Sequence, residues 1–294
     1  MLISCAMISW NEAKTIDLAL RGIKGLVDEV IIADSGSFDG TQEIARRTIE
    51  QLGLNGKVID VKAKSIGQGR IAAYNECTSP WILLIDANLV LSEAVRNEFA
   101  RLAKNKPNVI GCVKSMNLMG DYEHYFGGLP THAPHASLFR KDNKNIRFTK
   151  DRDRPTITNR RGLTAITPKA VNLSRVRPAW RCWYRGEPFD KRFFKRYGKG
   201  KTGHATLTNR QYKWNRIRKY FSLVEFVEDT EGLSHDDVKR IAPEWYLQQL
   251  RTYAVPLKPG MRKNLPKAIK QELKNPRYRL IKEGKKIVGR WPEL

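Results

Sequence analysis

A chain of 294 residues, 41% of them hydrophobic, can bury one large core or two modest ones, and no apolar run reaches the roughly 20 residues a membrane-spanning helix needs. The formal net charge of +24 is unevenly spread: residues 1–110 carry 13 basic and 13 acidic side chains, so the whole excess falls in 111–294. That asymmetry concerns partners and not fold, and the candidates are an anionic membrane surface, nucleic acid or an anionic substrate.

The chain opens on LISCAMIS without a basic leader or a cleavage site, so export is not expected and a cytoplasmic setting fits. Cys5, Cys77, Cys112 and Cys182 lack CxxC or Cys/His spacing, which argues against zinc and against a disulfide framework.

The first hundred residues alternate β-rich runs with amphipathic stretches, the pattern of a largely parallel sheet covered by helices. LISCAMIS (2–9) reads as the first strand and 12–26 as a helix, with Ile16, Leu20, Ile23 and Leu26 at helical spacing. EVIIAD (29–34) is the second strand. A helix over 40–53 follows, with Asp39 as its N-cap and Gln42 as the capping-box partner. KVIDV (57–61), a helix near 68–77 and WILLID (81–86) come next, and the apolar run of the last suggests a strand buried on both faces. Ser92 is expected to cap one more helix, extending to Asn105.

Beyond Pro107 the alternation ends. Longer β-like pieces are predicted near 109–118 and 134–140, separated by GGLPTHAPH. Residues 178–197 mix arginine with aromatic side chains in a region expected to be helical. Helices are predicted near 216–228, 234–253 and 265–274, and LIKEGKKIVGRW reads as a small hairpin. Three divisions result: an α/β half over 1–105, a second half over 106–177, and a smaller basic, mainly helical region over 178–294.

In open α/β sheets, ligands bind beyond the carboxyl ends of the strands, near the point where strand order switches. Three segments fall there: Ser9-Trp10-Asn11-Glu12, then Asp34 with its glycine-bearing turn, then Asp86-Ala87-Asn88. An aromatic ring can stack on a base, and a carboxylate can accept from base N–H or ribose hydroxyls, so the set suits a nucleoside diphosphate. Each residue also has a structural explanation. Trp10 can equally close the core, Asp34 can serve only to form a turn, and Asp39 is better read as a cap than as a ligand. His124, His132 and His135 match no metal-ligand spacing.

SWNEAKTIDLAL, VDEVIIADSGSFDGTQEIA and GQGRIAAYNECTSPWILLIDAN, in that order over about 90 residues, resemble the N-terminal half of inverting family 2 glycosyltransferases with the GT-A fold, a Rossmann-like, mostly parallel sheet. The resemblance implies transfer of a sugar from a nucleoside-diphosphate donor, UDP-sugar favoured, to an acceptor hydroxyl on a glycan or a lipid-linked molecule. It assigns Ser9, Trp10, Asp34, Arg70 and Asp86 to the donor. Trp10 would pack on the nucleobase, Asp34 read base or ribose, Arg70 contact diphosphate, and Asp86 lie near ribose and metal. It also implies Mn²⁺ or Mg²⁺ on Asp86 and position 88, where Asn88 replaces the usual second aspartate. An amide offers one neutral oxygen in place of a charged carboxylate, so metal affinity should fall.

For the general base, NIRFTKDRDRP (145–155) is similar to a stretch of a bacterial subgroup that carries a His-Glu pair missing here. Asp153, then Asp151, are the nearest carboxylates, with Glu187 and Asp190 in competition. Two other functions remain open at this point. One is a degenerate transferase that binds donor without turnover. The other is a basic nucleic-acid-binding protein using 178–220, which ranks lower because no known nucleic-acid motif is present.

Overall fold

A computed structural model describes residues 2–10, 12–37, 39–61, 63, 65–105, 110–119, 122–126, 136–150, 155–159, 163–175, 254–274, 279–283 and 286–290. By internal contacts, Met1–Val176, Tyr253–Ile281 and Gly289–Leu294 make one compact unit, and Arg177–Thr252 with Lys282–Val288 make a second. The helices predicted at 178–197, 216–228 and 234–253 lie outside the described residues, as do His132, His135, Cys182, Glu187 and Asp190.

The first unit begins as four βα steps. β1 (Ile3–Ser9), β2 (Glu29–Asp34), β3 (Gly56–Asp60) and β4 (Trp81–Asp86) alternate with α1 (Ile16–Ile23), α2 (Thr41–Leu52) and α3 (Ile66–Glu76). β5 (Leu89–Val90) then leads into α4 (Glu93–Asn105), where the Ser92 hydroxyl accepts the Val95 N–H at 3.3 Å, as the capping expectation requires. β6 (Ile110–Met119), β7 (His124–Phe126), β8 (Ala136–Arg140), β9 (Ile146–Arg147), β10 (Thr156–Ile157) and β11 (Leu163–Arg175) follow. Further along the chain come β12 (Ala254–Pro256), α5 (Pro259–Lys263) and α6 (Lys267–Lys274). The tail pairs β13 (Arg279–Glu283) with β14 (Lys286–Arg290).

The main sheet runs β12-β7-β6-β8-β4-β1-β2-β3, with β11 on β6 and β5 on β11. β4, β1, β2 and β3 are mutually parallel, while β8 is antiparallel to β4 and to β6. Because successive side chains of a strand point to opposite faces, β1 feeds two cores. Ile3, Cys5 and Met7 join α1, α2 and α4 on one face, and Ala6 joins α3, Phe139 and the partly buried Phe148 on the other. A third cluster gathers Leu18 of α1, Val90, Val171 and Leu173 with Leu265 and Ile269, so α5 and α6 pack back onto the first unit.

One expectation needs correction. The first turn of α2 is not a capping box: Gly40 is its N-cap, with φ +83°, a left-handed conformation that moves Asp39 outside the helix. Asp39 still serves the turn, its Oδ1 accepting the Thr41 N–H at 3.1 Å, but Gln42 reaches elsewhere, to Asp34. Likewise α1 starts only at Ile16, because residues 13–15 form a turn closed by Thr15 and Ile16 N–H groups on the Glu12 carbonyl, both at 2.9 Å.

Gly56 opens β3 directly beside Val30 of β2. A methyl group there would collide with Val30 Cγ1 and lie 2.8 Å from the Val30 carbonyl oxygen, whereas one at Gly260 of α5 would meet nothing within 4 Å. Gly56→Ala is therefore expected to lower stability by about 1–3 kcal/mol in urea titration, with Gly260→Ala near neutral.

Candidate functional site

The sheet order 3-2-1-4 places the topological switch between β1 and β4, and register fixes what meets there. Ser9 stands opposite Asp34 across β1 and β2, and Ile8 stands opposite Asp86 across β1 and β4. Ser9, Asp34 and Asp86 therefore end three adjacent parallel strands on one edge of the sheet. Trp10, half-buried, follows immediately after Ser9.

Asp34 has no exposure to solvent and is held entirely by the chain. Its Oδ2 accepts the hydroxyls of Ser9 at 2.7 Å and Ser37 at 2.6 Å. Its Oδ1 accepts the Ser37 N–H at 2.8 Å, the Gly36 N–H at 3.2 Å and the Gln42 amide at 2.9 Å. Gly36 takes φ +81°, which lets the loop curl back so that two successive N–H groups face the carboxylate. Five donors for one carboxylate balance the loss of hydration. What Asp34 sets is the shape of the loop that would face a nucleoside.

Asp86 is met by Arg70 of α3. The guanidinium Nη2 lies 2.6 Å from Asp86 Oδ1, with side-chain exposures of 6% and 17%. Two residues assigned to the donor thus form one ion pair. α3 is aimed by its own cap, since Ser65 Oγ accepts the Gln68 N–H at 3.2 Å and donates to the Lys150 carbonyl. The stretch ending at Lys150 also packs on α3, with the Phe148 ring 4.7 Å from that of Tyr74. Asp151 and Asp153, which follow it, lie outside the described residues.

What sequence reasoning missed is how Glu12, named there without a role, ties this edge together. Glu12, 3% exposed, accepts the Asn88 amide at 3.3 Å on Oε1 and the Thr15 hydroxyl at 2.8 Å on Oε2. Its N–H donates to Thr41 Oγ at 2.6 Å; the Thr41 hydroxyl in turn donates to Asp39, whose Oδ2 accepts the Ala13 N–H at 3.1 Å. Glu12 therefore joins the loops after β1, β2 and β4. The signal was present as polar residues directly behind apolar strands, but which of them would turn inward depends on the third dimension.

A divalent cation at this edge would have to use Asp86 and Asn88. The donor set fits one poorly: the carboxylate is engaged by a guanidinium, and Asn88 is 2% exposed with its amide nitrogen on Glu12. Among the described residues no three His, Cys, Asp or Glu side chains cluster as a metal site. Of the described thiols, burial pushes Cys77 up to about 12, and Cys5 is raised by burial and by Cys77, so neither is a ready nucleophile. No helix among the described residues is long and apolar enough to cross a membrane.

The family model for glycosyl transferase family 2 matches residues 4–159, more than half of the chain. The chain belongs to this family. The GT-A architecture of family 2 accounts for the parallel β4-β1-β2-β3 sheet and its antiparallel flank. An uncharacterized glycosyltransferase of Rickettsia felis is 40% identical over 96 residues, 33% of this chain and 32% of its own. The SPbeta prophage-derived glycosyltransferase SunS of Bacillus subtilis is 30% identical over 108 residues, 35% of this chain and 24% of its own. The matched stretch thus spans about a third or less of these relatives' length. Among solved structures, S. aureus TarS 1–349 in complex with UDP-GlcNAc aligns with 96% of this chain and 95% of its own, at 12% identity and a TM-score of 0.47.

Asn88 donates where an aspartate would set a second carboxylate against Glu12. Asn88→Asp is expected to destabilise the chain in EDTA by roughly 1–3 kcal/mol, through a lost hydrogen bond and like-charge repulsion. Adding Mn²⁺ should restore part of that loss in the variant and leave the native chain unchanged, as read by thermal unfolding.

Proposed function

We propose that this chain transfers a sugar from a nucleoside-diphosphate donor, UDP-sugar favoured, to an acceptor hydroxyl with inversion at the anomeric carbon. The observation that carries the reading is the alignment of Ser9, Asp34 and Asp86 on adjacent strand ends at the switch point, within the stretch matched by the family model. In this reading Trp10 stacks on the base and the loop shaped by Asp34 reads base and ribose. Asp86, partly exposed, accepts from ribose.

The acceptor oxygen attacks the anomeric carbon and the bond from that carbon to the diphosphate breaks. The nucleoside diphosphate leaves with the electron pair. The acceptor proton passes to a carboxylate, for which we assign Asp153, with Asp151 beside it. Support for that assignment is local: the Lys150 carbonyl is bonded to the N-cap of the helix that carries Arg70. No step is routed through a metal ion. Arg70 neutralises Asp86, which would otherwise repel a diphosphate, and a preorganised guanidinium stabilises leaving-group charge without reorganising. The acceptor is a glycan or a lipid-linked molecule.

A thermal-shift panel of UDP-, GDP- and dTDP-sugars tests donor binding, since a ligand at 100 times its Kd stabilises by about 2.7 kcal/mol. One nucleotide class is expected to raise Tm; no shift with any donor would refute the reading. Asp153→Ala is expected to lower turnover by roughly 100-fold or more with donor binding retained. That loss appearing at Asp151→Ala alone would move the role to Asp151.

A further inference from the structure

A cavity of about 1050 Å³ opens in the first unit between the start of α4, β11 and the α5–α6 pair. It shares no residue with the strand-end cluster. Its lining has two chemical parts. Met116, Val171, Met261 and Leu265 supply an apolar floor, and Arg96, Lys169, Lys263, Lys267 and Lys270 supply five cations. Glu93 is the one acid among the lining residues.

Among the described residues, no carboxylate pairs with any of these five cations. Lys270 Nζ donates to the Lys263 carbonyl at 2.6 Å and Arg96 Nη1 to the Gly22 carbonyl at 3.3 Å, contacts that anchor the groups without cancelling their charge. Like charges held together repel one another, and an anion is the ligand that relieves this. The N-terminal end of α4, with its partial positive charge, adds in the same direction.

The floor selects among anions. A polyhydroxylated glycan or a free phosphate would set polar groups against methionine, valine and leucine without partners, which is unfavourable. A phosphate that carries a hydrocarbon chain satisfies both parts, the head among the lysines and the first methylenes on the floor. We infer that this cavity binds a phosphate-headed lipid through Lys169, Lys263 and Lys267 above Met116 and Met261. The inference goes beyond sugar transfer and does not depend on it, since binding here needs neither donor nor turnover.

Met116 and Met261 carry the readout. In the full chain labelled with ¹³C-methyl methionine, dihexanoyl phosphatidate below its micellar concentration is expected to shift both methyl signals saturably. Dihexanoyl phosphatidylcholine and inorganic phosphate, at the same concentrations, should leave them in place. The Lys263→Glu/Lys267→Glu variant should weaken phosphatidate binding at least about tenfold, as expected for lost charge-assisted contacts, with the strand-end donor response unchanged. Should that variant fail to fold, Lys169→Glu, on a different element, carries the same expectation. The inference is overturned if the methyl signals do not move, if phosphatidylcholine or inorganic phosphate binds as well as phosphatidate, or if the charge-reversed chains bind like the native one.

Discussion

Three carboxylates, Glu12, Asp34 and Asp86, are brought to one edge of the sheet, and the arrangement holds only because the chain itself answers each of them. Carboxylates gathered in partly dehydrated surroundings repel and lose hydration, and either effect alone would splay the loops that carry them. Asp34 is answered by two hydroxyls, two backbone N–H groups and an amide, Glu12 by Asn88 and Thr15, and Asp86 by Arg70. Those partners come from the loops after β1, β2 and β4 and from α3. Satisfying the carboxylates and fixing loop geometry are therefore one operation.

The chemical consequence is preorganisation. An edge whose polar groups are already oriented does not rearrange when a charged ligand arrives, which is the condition under which fixed dipoles and cations act most strongly. It also explains why Asn88 suits this chain. An aspartate there would face Glu12 and call for an external cation, whereas the amide donates and closes the network internally. The guanidinium of Arg70 then stands where charge compensation is needed, always protonated and planar.

The first hundred residues were legible because each apolar run of β1 to β4 ends at a polar residue, and a parallel sheet puts such ends on one edge. Ser9, Asp34, Arg70 and Asp86 were read as site residues on that ground and through family resemblance, and they gather there. What escaped was direction. Gln42 reads equally well as a capping partner until the left-handed Gly40 turns Asp39 away and leaves its amide to Asp34. Glu12 was placed at the end of β1 without a role, because nothing local says that Asn88, 76 residues on, will lie beside it. The basic cavity was equally hidden, since Lys169 and the lysines of α5 and α6 are about a hundred residues apart and show along the chain only as excess charge.

In this reading the chain satisfies its own site carboxylates without a metal ion. Titration calorimetry of UDP, once in EDTA and once in excess Mn²⁺, tests it directly. The account predicts affinities within about threefold of each other, well under the tenfold that 1.4 kcal/mol represents. Binding that vanishes in EDTA and returns with Mn²⁺ would contradict it.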